Sequence, residues 1–308
     1  MCRALLYLGS RTALDGLLFK SDNSLVRQVS TPRMLSMLNL AGFGMKAWDR
    51  ESQSPEQPYS YSTDWIPVFD QNLKSLSEKV SVNCLLAHVR GVPVTAGETV
   101  SPKNNHPFCY PGCRITLAHN GDLTRFAEMK AHLVPHIKPA ILGSLAGTTD
   151  SEWIYALLLS QLDEPSGTIQ FDEIKPAIES VFRIIRDVRA TCGIDTSSSV
   201  NLFITDGESV VAVRYCFNFG HYPIDSPESV REHHLSYLSL WYTLGRDYGC
   251  HAGEWQTIGG SESADTVIIS SEPLTEDIST WVEVPEYGML CARTGSEGPV
   301  ISLDYLDI

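Results

Sequence analysis

The chain has 308 residues, 43% hydrophobic and 19% charged, and 23 basic against 37 acidic side chains give it a formal charge of −14. That composition holds ample material for a packed core, and without a basic cluster it argues against a nucleic-acid backbone or an anionic membrane surface as partner. No apolar run approaches the roughly 20 residues of a membrane span, and the ALLYLG piece between Arg3 and Arg11 is too short for a secretory signal, so a cytoplasmic location is expected.

In chain order, residues 2–8 alternate loosely and suit a strand, headed by Cys2 directly behind the initiator methionine. The segment SQSPEQPYSYS (52–62) reads as a polar surface loop. CLLAHV (84–89) and Ile115 to Ala118 read as buried strands, separated by a loop-like run dense in Gly, Pro and Asn. A helix is expected over Asp122 to His132. Another should start at Thr149 or Asp150 and run through Gln161, with an acid where the helix dipole favours one. Asp172 to Arg189 spaces Ile174, Ile178, Val181, Phe182, Ile185 and Val188 along one helical face. The pattern then turns to β: Val200 to Thr205 and Ser209 to Tyr215 flank an Asp206-Gly207 turn, and further strands follow at Thr266 to Ser270, Trp281 to Val284 and Met289 to Ala292. Strands at both ends with helices between imply a layered α+β fold, in which the first strand can be central and its first residue can open into a cleft.

The eight cysteines lack a repeated spacing and read as reduced thiols. Cys109 and Cys113 with His106 invite a zinc reading, with His233 and His234 far downstream. The spacing lacks a matching second ligand pair, however, and a structural site needs four closed ligands, so no metal is expected.

Four islands carry the chemistry: MCR at the start, LAHVRG (86–91), NNHPFCYPGCRITLAHNGDL (104–123) and GTTDSEW (147–153). Singly, each has an ordinary reading. Cys2 can merely begin a buried strand, Arg90 can serve a salt bridge, Asn120-Gly121 is a common turn pair and Asp150 can be a helix cap. Together and in this order they resemble the class II glutamine amidotransferases of the N-terminal nucleophile hydrolase superfamily, and most of all the small stand-alone branch of YafJ-like proteins and γ-glutamyl hydrolases. VIISSEPLTED (267–277) and SLWYTLG (239–245) also look like that branch. The resemblance spans nearly the whole chain. It implies a four-layer αββα sandwich forming a single domain over residues 1–308, with the mature chain beginning at Cys2 once Met1 is removed.

It also implies a mechanism. Cys2 would be the nucleophile and its freed α-amine the base. A thiol reacts as thiolate and ionises near pH 8.5 when unperturbed, while an α-amine titrates at roughly 7.7–8.0, suited to a base near neutrality. Attack on a side-chain amide gives a γ-glutamyl thioester, which water resolves. The resemblance assigns the oxyanion donors to the Asn120 side chain and the Gly121 N–H. Arg90 offers a planar fork for the substrate α-carboxylate and Asp150 a carboxylate for its α-ammonium. His88 and His119 are expected to support packing, His106-Pro107 to shape a loop, and Ser271 and Glu272 to line the cleft. The aromatic run YLSLWY (237–242) reads as core or lid. No metal or organic cofactor is implied.

Two departures from the family pattern bear on the substrate. NLAGFGMKAW (39–48) has Ala41 where relatives carry an acid, and Arg90 leads into GVPVT in place of small polar residues. The expected function is hydrolysis of a glutamine or γ-glutamyl amide. A glutaminase subunit feeding ammonia to a separate synthase chain and a silent γ-glutamyl-binding module are the alternatives. The leaving amine and the choice between a homo-oligomer and a synthase partner stay open.

Overall fold

The structure is a computed structural model. It describes residues 2–34, 38–91, 100–222, 239–260, 264–295 and 298–308, and at 294, 295, 298 and 299 the backbone alone.

The first strand, β1 (Arg3–Ala13), begins one residue after Cys2 and is buried from Arg3 to Gly9. Its side chains alternate between two cores. Ala4, Leu6 and Leu8 pack inward against a second sheet, while Leu5 and Tyr7 face an outer layer. β2 (Phe43–Trp48), β3 (Tyr59–Thr63), the short helix α1 (Gln71–Ser77) and β4 (Ser81–Val89) follow. The second sheet opens with β5 (Thr116–Gly121). Four helices come next: α2 (Phe126–Leu133), α3 (Pro139–Leu142), α4 (Asp150–Gln161) and α5 (Phe171–Thr191). The chain then forms β6 (Ser198–Thr205), β7 (Ser209–Phe217), β8 (Trp241–Gly245), β9 (Asp247–His251) and β10 (Glu254–Ile258). It ends with β11 (Thr266–Ser270), β12 (Val282–Glu283), β13 (Gly288–Gly295) and β14 (Gly298–Tyr305).

These strands make a seven-stranded sheet, β12-β8-β11-β1-β4-β2-β3, a five-stranded sheet, β14-β13-β7-β6-β5, and the separate hairpin β9-β10. The two large sheets face each other through a core that includes Leu6, Leu86, Phe203 and Ile269. The helices α4 and α5 cover the outer face of the five-stranded sheet, where Ile178, Phe182 and Ile185 meet Leu202 and Val213. The outer face of the seven-stranded sheet has a thinner cover: a π-helical turn at Gly16–Lys20, a 3-10 turn at Arg27–Val29 and α1. The layers run helix, sheet, sheet, helix, the four-layer α+β sandwich expected from the sequence. Among the described residues no helix is long and apolar enough to cross a membrane.

Several expectations shift at their edges. The 52–62 loop gives way to strand at Tyr59, because the YSYST alternation pairs with β2 from Phe43↔Thr63 to Ala47↔Tyr59. The helix expected from Asp122 starts four residues later. The N–H groups of Asp122, Leu123 and Thr124 are spent on the Ser199 carbonyl, the Asp150 carboxylate and the Ser198 hydroxyl. Trp281 to Val284 shrinks to a two-residue edge strand. Thr149, rather than Asp150, caps α4, its hydroxyl accepting from Glu152 N–H at 3.3 Å. The Asp206-Gly207 hairpin forms as expected. Asp206 accepts from the N–H groups of Glu208, Ser209 and Ile169 at 2.7–2.9 Å. Gly207, at φ +93°, leaves room for the Trp48 indole, which a Cβ would meet at 2.6 Å. Residues 223–238, holding His233, His234 and the start of the 237–242 aromatic run, lie outside the described residues, as does most of GVPVT.

Because the inter-sheet core closes around β1, Leu6→Ala should cost about 2–5 kcal/mol. A denaturant titration with an unchanged slope and a lowered midpoint is the expected result.

Candidate active site

Side-chain alternation decides which residues meet. On β1 the even positions Ala4, Leu6 and Leu8 face the second sheet, and Cys2 continues their row. On β4, Cys84 and Leu86 face inward, and the same row continues to His88 and Arg90. On β5, Ala118 faces inward and Asn120 follows it. The register Arg3↔Val89 then sets Cys2 beside Arg90 and Gly91. The Gly91 N–H donates to Cys2 Sγ at 3.5 Å, and the thiol lies 3.7 Å from the Gly91 carbonyl oxygen. Cys2 is 8% exposed.

The residues after β11 tie this corner to Asn120. Ser271 Oγ accepts from Ala4 N–H at 3.0 Å and lies 3.0 Å from Asn120 Nδ2. The Ser271 N–H donates to the Ala4 carbonyl, also at 3.0 Å, and its own carbonyl accepts from Ser239 Oγ at 2.8 Å. Next to it, Glu272 is fully buried. It accepts from the N–H groups of Arg33 and Met34 at 3.3 and 2.8 Å and lies 3.9 Å from the Arg3 guanidinium. Arg3 in turn donates to the Cys2 carbonyl at 3.0 Å. Ser271 and Glu272, read from the sequence as cleft lining, therefore anchor the backbone that follows Cys2, Ser271 directly at Ala4 and Glu272 through Arg3.

Arg90 is 3% exposed, and its backbone pairs with residues 41 and 42: Ala41 N–H donates to the Arg90 carbonyl and Arg90 N–H to the Gly42 carbonyl. Ala41 is thus the neighbour of Arg90 across the ladder. A loop over β2 closes this side. The Asn105 amide donates to Ser62, Thr63 and Asp64, and the Asn104 amide clasps Thr148 just before α4, donating at 3.1 Å and accepting at 2.9 Å. Within NNHPF, the two asparagines thus serve as bolts between β3 and α4.

Asp150 stands in the first turn of α4, where the dipole favours a carboxylate. One oxygen accepts from Leu123 N–H at 2.6 Å, and the other from the Ser151 N–H and hydroxyl at 2.8 and 3.2 Å. Ser151 Oγ is 2.9 Å from His119 Nδ1, and His119 Nε2 lies 3.4 Å from the Ser199 carbonyl. A chain of contacts therefore links the outer face of β5 to Asp150, a link the sequence did not reveal. Gly121 follows, where a Cβ would collide with the Ser199 carbonyl and press on the His119 ring. Only glycine fits.

His88, His106 and His119 form a buried imidazole group. His106 Nδ1 is 2.9 Å from His88 Nε2 and accepts from His119 N–H at 3.5 Å, which places the shared proton on His88. Burial holds all three below the usual imidazole range, His88 down to about 3, although the nearby Asp150 charge opposes the shift at His119. They are neutral near pH 7 and poor proton acceptors there.

Cys109 and Cys113 make local contacts: the Cys109 thiol donates to the Cys113 carbonyl at 3.4 Å. All eight cysteines are free thiols, and among the described residues no group of three or more ligating side chains is placed to hold a metal.

The arrangement sets a thiol on one sheet against a buried carboxamide on the other, with an arginine and a helix-mounted carboxylate nearby. The two facing sheets fit the fold that the sequence resemblance implies. The comparisons agree: a sequence model of the class-II glutamine amidotransferases matches residues 56–219, more than half of the chain, and the protein belongs to that family. It is 28% identical over 311 residues to the probable glutamine amidotransferase DUG3 of Saccharomyces cerevisiae, covering 95% of this chain and 82% of that protein. Its fold matches a glutamine aminotransferase class-II domain protein from Silicibacter pomeroyi over the full length of both chains, with TM-score 0.63 at 20% identity. It also matches the glutamine PRPP amidotransferase of Bacillus subtilis, with TM-score 0.54 at 16% identity over all of this chain and 50% of that one.

The neutral histidines predict a pH signature. His88 is depressed in the folded state, so between about pH 6.5 and 3 the unfolded chain binds the extra proton and stability falls as pH falls. In His88→Gln the slope of unfolding free energy against pH over that window should flatten by up to roughly 1.4 kcal/mol per pH unit. Denaturant titrations at pH 4 to 7 measure it.

Proposed function

We propose that the protein is a cysteine-dependent amidohydrolase acting on a glutamine or γ-glutamyl amide, in a mature chain that begins at Cys2 and forms one amidotransferase unit. The family supplies amide hydrolysis in general. The observation that supports the finer reading is that Cys2 lies against Gly91, next to Arg90, while Ser271 joins Ala4, two residues after the thiol, to Asn120, with Asp150 bound to the Leu123 N–H just past Gly121.

In this reading the α-amine of Cys2 takes the thiol proton, and the thiolate attacks the δ-carbon of the side-chain amide. The carbonyl π bond opens and its oxygen becomes an oxyanion, received by the Asn120 amide and the Gly121 N–H. Collapse restores the carbonyl, breaks the C–N bond and expels the amine, which carries off the proton from the α-ammonium. A water, deprotonated by the same α-amine, then attacks the thioester and releases glutamate and the thiolate. Arg90 pairs with the substrate α-carboxylate and Asp150 with its α-ammonium, so a simple alkyl amide lacks both anchors. The buried neutral histidines leave the α-amine as the base suited to neutral pH. No metal or organic cofactor takes part. We place the reaction in the cytoplasm, in keeping with eight free thiols and no membrane-crossing helix among the described residues.

A second reading, a glutaminase subunit passing ammonia to a separate synthase chain, has one observation in its favour. This chain matches half of the B. subtilis PRPP amidotransferase, so there the equivalent fold is part of a longer protein.

Intact mass before and after incubation with 6-diazo-5-oxo-L-norleucine tests the nucleophile. The expected result is loss of Met1 and one adduct per chain, absent in Cys2→Ala. Glutamate release from L-glutamine and a panel of γ-glutamyl amides then distinguishes ammonia from an amine as leaving group. Asn120→Ala should lower kcat by about 10²–10³ with little change in KM. Glutamate release by Cys2→Ala at the wild-type rate would overturn the reading.

A further inference from the structure

Asn120 is fully buried, and its Oδ1 has no hydrogen-bond partner among the described residues. A buried, unmade acceptor is costly and calls for a reason. Its Nδ2 meanwhile faces Ser271 Oγ, which already accepts from Ala4 N–H. A hydroxyl has one proton to donate. With both neighbours donating to it, the Ser271 proton has no acceptor in this pair of contacts, while a carbonyl oxygen on the same amide has no donor. Turning the amide end for end removes both defects, because its oxygen and nitrogen are nearly alike in size and the 3.0 Å contact serves either way.

We propose that Ser271 is the positioning residue of the oxyanion site: its hydroxyl accepts from Ala4 N–H, donates to Asn120 Oδ1, and so presents Asn120 Nδ2 to the reacting carbonyl oxygen. The inference rests on the reading of Cys2 as nucleophile and Asn120 as oxyanion donor, and it adds what fixes the donor's orientation. In that orientation the Nδ2 protons not used by the protein await the oxyanion, the condition of a preorganised donor. The same hydroxyl holds the backbone N–H two residues from the thiol, so nucleophile and donor are registered to one atom across the two sheets. The second anchor of Ser271, through the Ser239 hydroxyl on its carbonyl, keeps that atom in place.

Steady-state hydrolysis of L-glutamine by Ser271→Ala, Asn120→Ala and the double variant tests this, with thermal midpoints recorded alongside. Ser271→Ala should lower kcat by about tenfold and leave KM within about twofold. In the Asn120→Ala background the same substitution should cost nothing further, because the group it orients is gone. Equal losses in both backgrounds would mean that Ser271 acts on the strand alone, and would overturn the proposal. Should Ser271→Ala not fold, neutron diffraction from deuterated wild-type crystals decides: deuterons on the Asn120 atom facing away from Ser271 support the proposal, and deuterons on the atom facing Ser271 overturn it. The neutron result stands even if Cys2→Ala retains activity, so the two readings fail separately.

Discussion

The antiparallel pairing of β1 with β4, from Arg3↔Val89 to Leu8↔Cys84, is the constraint on which the site depends. It decides at once which face Cys2 occupies and which residue stands beside it. Side chains in a strand alternate, so a slip of one residue would move Cys2 from the inter-sheet corner to the outer layer and bury Leu5 and Tyr7 on the wrong side. The hydrophobic pattern forbids that slip, since Ala4, Leu6 and Leu8 fill one core and Leu5 and Tyr7 another. The packing of the sandwich and the placement of the thiol are therefore one specification. The β1–β11 pairing repeats it on the other side, with Leu5↔Ser270 delivering Ser271 to Ala4.

The corner concentrates polar groups that a core would normally exclude. Arg3, Glu272, His88, His119 and Asn120 are each at most 1% exposed. Burying such groups without partners is expensive, and the structure answers with backbone N–H groups for the Glu272 carboxylate, a carbonyl for Arg3 and a shared proton for the His88–His106 pair. Neutral histidines are the inexpensive form here, because an imidazolium so deep would need a facing carboxylate. Three buried imidazoles thus give the corner hydrogen-bonding rigidity without adding positive charge beside Arg90.

Much of this was legible in the sequence where a local pattern and a chemical role coincide. The strand that stops at Val89, one residue short of Arg90, and the α4 start at Thr149-Asp150 follow from a hydrophobic run and a capping residue, whereas β5 runs past Ala118 through Asn120-Gly121, a pair that reads locally as a turn. The misses have a common cause. The strand at Tyr59 hides in a Ser- and Pro-rich segment because an edge strand need bury little. The late start of α2 depends on Ser198, Ser199 and Asp150, residues remote in sequence. The Ser151–His119 link and the Ser271–Asn120 contact join positions 32 and 151 residues apart. Nothing in a local window marks them.

The division of the corner between the two sheets explains its economy of side-chain size. Cys2 and Arg90 flank strand ends of the seven-stranded sheet, and Asn120 and Gly121 lie in the five-stranded one, so the gap between sheets sets the distance between the thiol and the Asn120 amide. Farther along the sandwich that gap is filled by Leu6, Leu86 and Phe203. Toward Cys2 the inward positions become Ala4 and Ala118, then Ser271 and Asn120. Face-to-face sheets ordinarily pack about 10 Å apart, spanned by full-sized apolar side chains. Small residues at one end let a serine hydroxyl reach from Ala4 on one sheet to Asn120 on the other. A larger side chain at Ala4 or Ala118 would gain buried area and lose that reach. The end of the sandwich that holds Cys2 is thus built for contact between the sheets, and the rest of it for cohesion.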